Sequence, residues 1–72
     1  MFNESIKANL EKAGIAYRVM SNGNIICYHN YTSAAPSRDA MDKAAAAARI
    51  ASSFGRNAVT VGNGNGTIIF AA

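Results

Sequence analysis

The stretch that most constrains this chain is residues 37–54, SRDAMDKAAAAARIASSF, because its pattern fits a helix and nothing else. On a wheel of 3.6 residues per turn, Ala40, Ala44, Ala47, Ile50, Ala51 and Phe54 fall on one side and Arg38, Asp39, Asp42, Arg49 and Ser53 on the other. Ser37 supplies the side-chain oxygen of an N-cap. Asp39 sits near the positive end of the helix dipole, and Gly55 follows where a C′ glycine ends a helix. An apolar face made mostly of alanine brings little area of its own but lets another layer come close, so the helix must lie flat on something.

Two hairpins are available for it. Residues 15–20, IAYRVM, and 25–29, IICYH, flank Ser21-Asn22-Gly23-Asn24, the strongest local hairpin signal in the chain. With Asn22 and Gly23 central in a two-residue type I′ turn, Met20 is expected opposite Ile25, Val19 opposite Ile26, Arg18 opposite Cys27 and Tyr17 opposite Tyr28. That register makes Ile15, Tyr17, Val19, Ile26 and Tyr28 the apolar face. Ala16, Arg18, Met20, Ile25, Cys27 and His29 make the mixed one. The second hairpin pairs residues 57–61, NAVTV, with 67–72, TIIFAA, across Gly62-Asn63-Gly64-Asn65-Gly66, where three glycines leave the register loose.

Ahead of the first hairpin, Asn3 is placed to cap a short amphipathic helix in which Phe2, Ile6, Leu10 and Ala13 recur at about one turn per step. Gly14 ends it, with Ile15 set for the hydrophobic contact that accompanies such a cap. Residues 30–36, NYTSAAP, have loop chemistry and connect the hairpin to the long helix. The order αββαββ predicts an α+β two-layer sandwich: a four-stranded antiparallel sheet with two helices on one face. Residues 1–72 are expected to form one domain, built as two helix-hairpin units over about residues 2–30 and 37–72.

Seventy-two residues lie near the lower limit for a chain that folds alone. Half the residues are hydrophobic and 15% are charged, which marks a globular chain and not a disordered tail. A formal net charge of +3 permits contact with an acidic surface but falls short of a dedicated nucleic-acid arm. One cysteine excludes an internal disulfide and suggests a reducing compartment. With no signal-peptide succession and no long apolar run, the expected location is cytoplasmic, without a membrane span.

Catalysis needs convergent groups, and here they are few. Cys27 and His29 share a face of one strand, the arrangement a thiolate and an imidazole would need, but nothing supplies a third orienting group. Two such ligands fall short of the four of a structural zinc site, so neither a metal nor a cofactor is expected. Lys7–Glu11, Arg38–Asp42 and Asp39–Lys43 have the spacing of solvated helix pairs and not of an acid and a base. Gly62 to Gly66 feeds a strand, whereas a phosphate loop feeds a helix N-terminus.

What remains is surface. If both helices cover the Tyr17 and Tyr28 side, the other side of the sheet is left open, carrying Arg18, Met20, Ile25, Cys27, His29, Thr60, Thr67 and Ile69. A partly apolar sheet face on a minimal domain suits a protein partner or a homodimer. The alternative opens the tyrosine side instead, giving Tyr17 and Tyr28 as a stacking platform for single-stranded nucleic acid, with Lys12, Arg49 and Arg56 as its cations.

Residues 45–70, AAAARIASSFGRNAVTVGNGNGTIIF, an Ala-rich helix followed by a strand, a Gly/Asn turn and an apolar strand, resemble in layout the C-terminal part of some type I anti-CRISPR proteins, small inhibitors that phages encode. The likeness covers these residues and carries no functional residue across. It implies a non-enzymatic inhibitor. Because this chain is basic and does not imitate an acidic nucleic acid, the implied mechanism is occlusion of a protein surface.

Overall fold

The computed structural model describes residues 2–30 and 37–71. Its elements are α1 (Phe2–Lys12), β1 (Ala16–Val19), β2 (Ile25–Tyr28), α2 (Arg38–Ser53), β3 (Ala58–Val61), a 3-10 turn at Gly62–Gly64 and β4 (Gly66–Ile69). The four strands form one antiparallel sheet in the order β1-β2-β4-β3, so the C-terminal strands of the two hairpins meet in the middle. This is the expected α+β architecture. From residue 31 onward the connecting loop lies outside the described residues.

Both helices end as their glycines dictate. Gly14 and Gly55 take φ of +74° and +68°, and in each case the next residue's N–H reaches back to close the last turn. Ile15 donates to the Leu10 carbonyl and Arg56 to the Ala51 carbonyl, both at 2.9 Å. At the other end of α2, Ser37 Oγ accepts from the Ala40 N–H at 3.1 Å. Asn3 does not cap α1. The helix starts at Phe2, and the Asn3 amide oxygen is turned to Arg56.

One core cluster joins Ile6 and Leu10 of α1, Ala47 and Ala51 of α2, and Ile15, Ile25, Cys27 and Ile69. Ala40 and Ala44 are buried too, while Ile50 and Phe54 pack at the margin. The alanine face does what its size allows, bringing α2 close to β3 and β4. On the outside, the ion pairs among the described residues are Lys7–Glu4 and Lys43–Asp39, each at 3.2 Å. Glu11, expected to pair with Lys7, instead accepts a hydrogen bond from the Tyr17 hydroxyl.

The first hairpin departs from expectation by one residue. Val19 lies opposite Ile25, Arg18 opposite Ile26, Tyr17 opposite Cys27 and Ala16 opposite Tyr28. A type I′ turn needs positive φ at both central residues, but only Gly23, at +91°, has it. The loop has three residues instead, Ser21 to Gly23. The Gly23 N–H donates to the Met20 carbonyl at 3.0 Å and the Met20 N–H to the Asn24 carbonyl at 2.8 Å. Because strand side chains alternate, one extra loop residue turns all of β2 over relative to β1. Ile25 and Cys27 face the helices, and Ile26 and Tyr28 face away.

Candidate docking face on the sheet

The register fixes which side chains share the outer face. Two rows cross the four strands: Ala16, Tyr28, Gly66 and Val61 in one, and Arg18, Ile26, Ile68 and Val59 in the other. Among the described residues no helix covers these rows. Val59 is 44% and Val61 38% exposed, Arg18 is exposed, and Ile26, Tyr28 and Ile68 are half-buried. Arg18 brings the only formal charge to the two rows. The surface is therefore rich in β-branched and apolar side chains, with one cation near the β1 edge.

The approach of the strands beneath it is set from within the sheet. Gly66 sits where a Cβ would come within 2.9 Å of the Cys27 carbonyl oxygen, so only glycine lets β2 and β4 approach there. The turn before it is not loose. Gly62, Asn63 and Gly64 all take positive φ, the Asn65 N–H returns to the Gly62 carbonyl at 3.1 Å, and the Asn65 carbonyl accepts from His29 and Asn30. The turn thereby joins the β2 ladder and pins both hairpins in one register.

The residues expected to form the open face are, for the most part, on the opposite side. Ile25, Cys27, Thr67 and Ile69 have no exposure at all and lie under the helices. Thr60 is on that inner side, exposed only because β3 is an edge strand. His29 and Met20 are half-buried, and His29 Nε2 is 2.8 Å from Thr67 Oγ1. Of that set Arg18 lies on the outer rows, and Met20, two residues further along the same chain, falls on the same side. The physical reason is the three-residue loop: the expected register inverted β2, and β4 follows β2.

The same inversion separates the two tyrosines. Tyr17 pairs with Cys27 and shares its inner side, whereas Tyr28 is on the outer side, so they form no common stacking platform. The Glu11 carboxylate accepting from the hydroxyl raises the Tyr17 pKa, with smaller contributions from burial and nearby charge. Lys12 is exposed at the end of α1 and Arg49 is exposed on α2. Arg56 is only 6% exposed and holds backbone and amide oxygens inside the protein.

Cys27 and His29 both point inward from β2, but the chemistry there is not that of a nucleophile. Burial pushes the Cys27 thiol up to about 11, so at neutral pH it is the protonated, unreactive form. Burial, and then the nearby Lys43 ammonium, lower the His29 pKa. Among the described residues no group of three His, Cys, Asp or Glu side chains could hold a metal ion, and no helix is long and apolar enough to cross a membrane.

Sequence reasoning missed Ile26, Val59, Val61 and Ile68 as a surface, and placed Tyr28 on an open side only in the nucleic-acid alternative, because Ile25-Ile26 and Ile68-Ile69 are apolar on both sides and do not announce a face. It also missed Arg56 as a buried residue. A signal for that was present: Arg56 follows Gly55 as Ile15 follows Gly14, in the position that packs inward after a glycine cap. In comparisons with protein-family models, curated proteins and solved structures, nothing matches this chain.

Proposed function

We propose that this chain is a non-enzymatic protein-binding module that works by covering a surface of a larger protein with the outer face of its sheet. One observation carries this: Ile26, Tyr28, Val59, Val61 and Ile68 stand together on the side of the sheet that no helix covers among the described residues, with a single cation, Arg18, on its β1 edge. Apolar side chains grouped on one side of a small domain are what a docking surface requires. A suitable partner presents a flat apolar patch with a carboxylate opposite Arg18, and association through it depends weakly on salt. An inhibitor of the anti-CRISPR kind is the narrowest form of this proposal, and it draws on the layout of residues 45–70.

The test is site-specific photo-crosslinking in the native host from a probe at Ile68, with Ile68→Asp as the competitor. The expected result is one crosslinked protein whose purified complex survives added salt and is lost with Ile68→Asp. Equal binding by that variant, or a nucleic-acid complex that dissociates steeply with salt, would overturn the proposal. Plating phage on a CRISPR-immune host with and without the chain tests the narrower form separately.

A further inference from the structure

Among the described residues the sheet ends at β3. The Phe70 N–H donates to the Asn57 carbonyl at 2.9 Å, and the ladder continues as Ala58 opposite Ile69, Val59 opposite Ile68 and Thr60 opposite Thr67. Asn57, Val59 and Val61 therefore spend their backbone groups on β4, while Ala58 and Thr60 turn N–H and C=O outward to the open edge. This edge, AVTV, carries no charge, proline or bulge, the usual protections against pairing. The opposite edge, β1, has Arg18 in the strand. A groove of about 350 Å³ runs along the β3 edge between Thr60 and Asn63 on one side and Met41, Ala45 and Ala48 of α2 on the other. Met41, at 57% exposure, is the most exposed large apolar residue among those described.

We infer that a second copy of this chain occupies that edge, pairing β3 to β3 antiparallel about a two-fold axis. Each Ala58 then exchanges backbone hydrogen bonds with the other copy's Thr60, and the two Val59 side chains meet on the outer face. The helices fit as well. Since α2 lies over β3 and β4, strands spaced about 4.8 Å apart put the two α2 axes about 10 Å apart, the distance at which helices pack. Ala45 and Ala48 leave room for that contact. Charge complementarity points to a like partner: Asp42 and Arg49 lie two helical turns apart on the side of α2 away from the sheet, above the Met41, Ala45 and Ala48 flank, and neither has an ion pair within the chain among the described residues. Antiparallel packing of two α2 helices brings each Asp42 within reach of the other copy's Arg49.

The assembly is an eight-stranded sheet whose outer faces run together with Val59 and Val61 at the centre. It stands on the edge geometry and not on the docking proposal. One four-residue strand edge and one helix flank make a small interface, so the dimer is expected to dissociate on dilution.

Sedimentation velocity over a concentration series tests this on the whole chain. The expected result is a monomer–dimer equilibrium that Thr60→Pro weakens at least about tenfold, because proline removes an outward N–H that the monomer does not use. Asp42→Arg and Arg49→Asp each weaken the dimer, and the double exchange restores it. Val19→Lys, on the far edge, leaves it unchanged. Should Thr60→Pro fail to fold by circular dichroism, the charge exchange decides. A chain that stays monomeric to about 1 mM, a dimer that ignores the charge exchange, or one lost only with Ile68→Asp would overturn the inference.

Discussion

Arg56 Nη1 donates to Asn3 Oδ1 at 2.9 Å, joining residues 53 positions apart in the chain. The same guanidinium donates through Nε to the Phe70 carbonyl and through Nη2 to the Gly23 carbonyl at 3.4 Å. One buried side chain thus ties the start of α1, the first hairpin turn and the end of β4. All three acceptors are neutral oxygens, so the charge is met by dipoles and removal leaves three part-buried oxygens without this donor. Arg56→Ala should lower stability by about 2–4 kcal/mol and Asn3→Ala by about 1 kcal/mol. Arg56→Lys should recover little, because an ammonium cannot reproduce the planar fork. Urea denaturation of the three variants measures this.

Gly66 and Gly14 separate two costs of replacing glycine. At Gly66 a Cβ meets the Cys27 backbone oxygen at 2.9 Å, and backbone on a central strand has no room to move. At Gly14 nothing lies within 4 Å, but φ is +74°. Gly66→Ala should cost more than about 2 kcal/mol and Gly14→Ala about 1 kcal/mol. Equal losses in thermal unfolding would contradict the β2–β4 contact.

Adjacent isoleucines report the register of the first hairpin. Ile25 is fully buried against Ile69, whereas Ile26 is half-buried on the outer face. Ile25→Ala should cost about 2–5 kcal/mol and Ile26→Ala less than about 1 kcal/mol. A two-residue turn would reverse the order, so the pair of denaturation midpoints discriminates between the two turns.

His29 makes stability depend on pH. Its Nδ1 is buried without a hydrogen-bond partner among the described residues, its Nε2 is held at Thr67, and Lys43 is the charged group that acts on it from α2. The folded pKa is lowered below 6.5, so as pH falls the unfolded chain takes the proton first. Stability is then fully present above about pH 6.5, declines below it, and levels off beneath the folded pKa. Urea midpoints from about pH 7.5 to 5.5 should fall, and His29→Gln should flatten that slope. A midpoint that rises on acidification would reject the assignment.

The elements themselves were legible because their determinants are local. Ser37, Gly14 and Gly55 set helix ends through caps that involve only neighbours in sequence, and the alanine spacing of residues 37–54 named the buried side of α2 correctly. The αββαββ order and the four-stranded antiparallel sheet followed from those helices and from the two Asn-Gly turns. The outer face was not legible. Asn22-Gly23 admits a loop of two residues or three, and Ile25-Ile26 offers an apolar side chain to either face, so local energetics leave the choice nearly balanced.

Long-range contacts tip that balance. Asn24 Oδ1 accepts from the Ala71 N–H at 2.8 Å, Arg56 grips the Gly23 carbonyl, and β2 pairs with β4 so that Ile25 meets Ile69. Each of these joins segments far apart in the chain, and together they select the register that buries Cys27 and exposes Ile26. Sequence alone determined which segments are helix and strand, and where Ser37, Gly14 and Gly55 end the helices, since neighbours supply those capping hydrogen bonds. Tertiary structure alone decided which side of the sheet meets water, because alternation makes that depend on a single loop residue, and only the assembled core distinguishes the two outcomes.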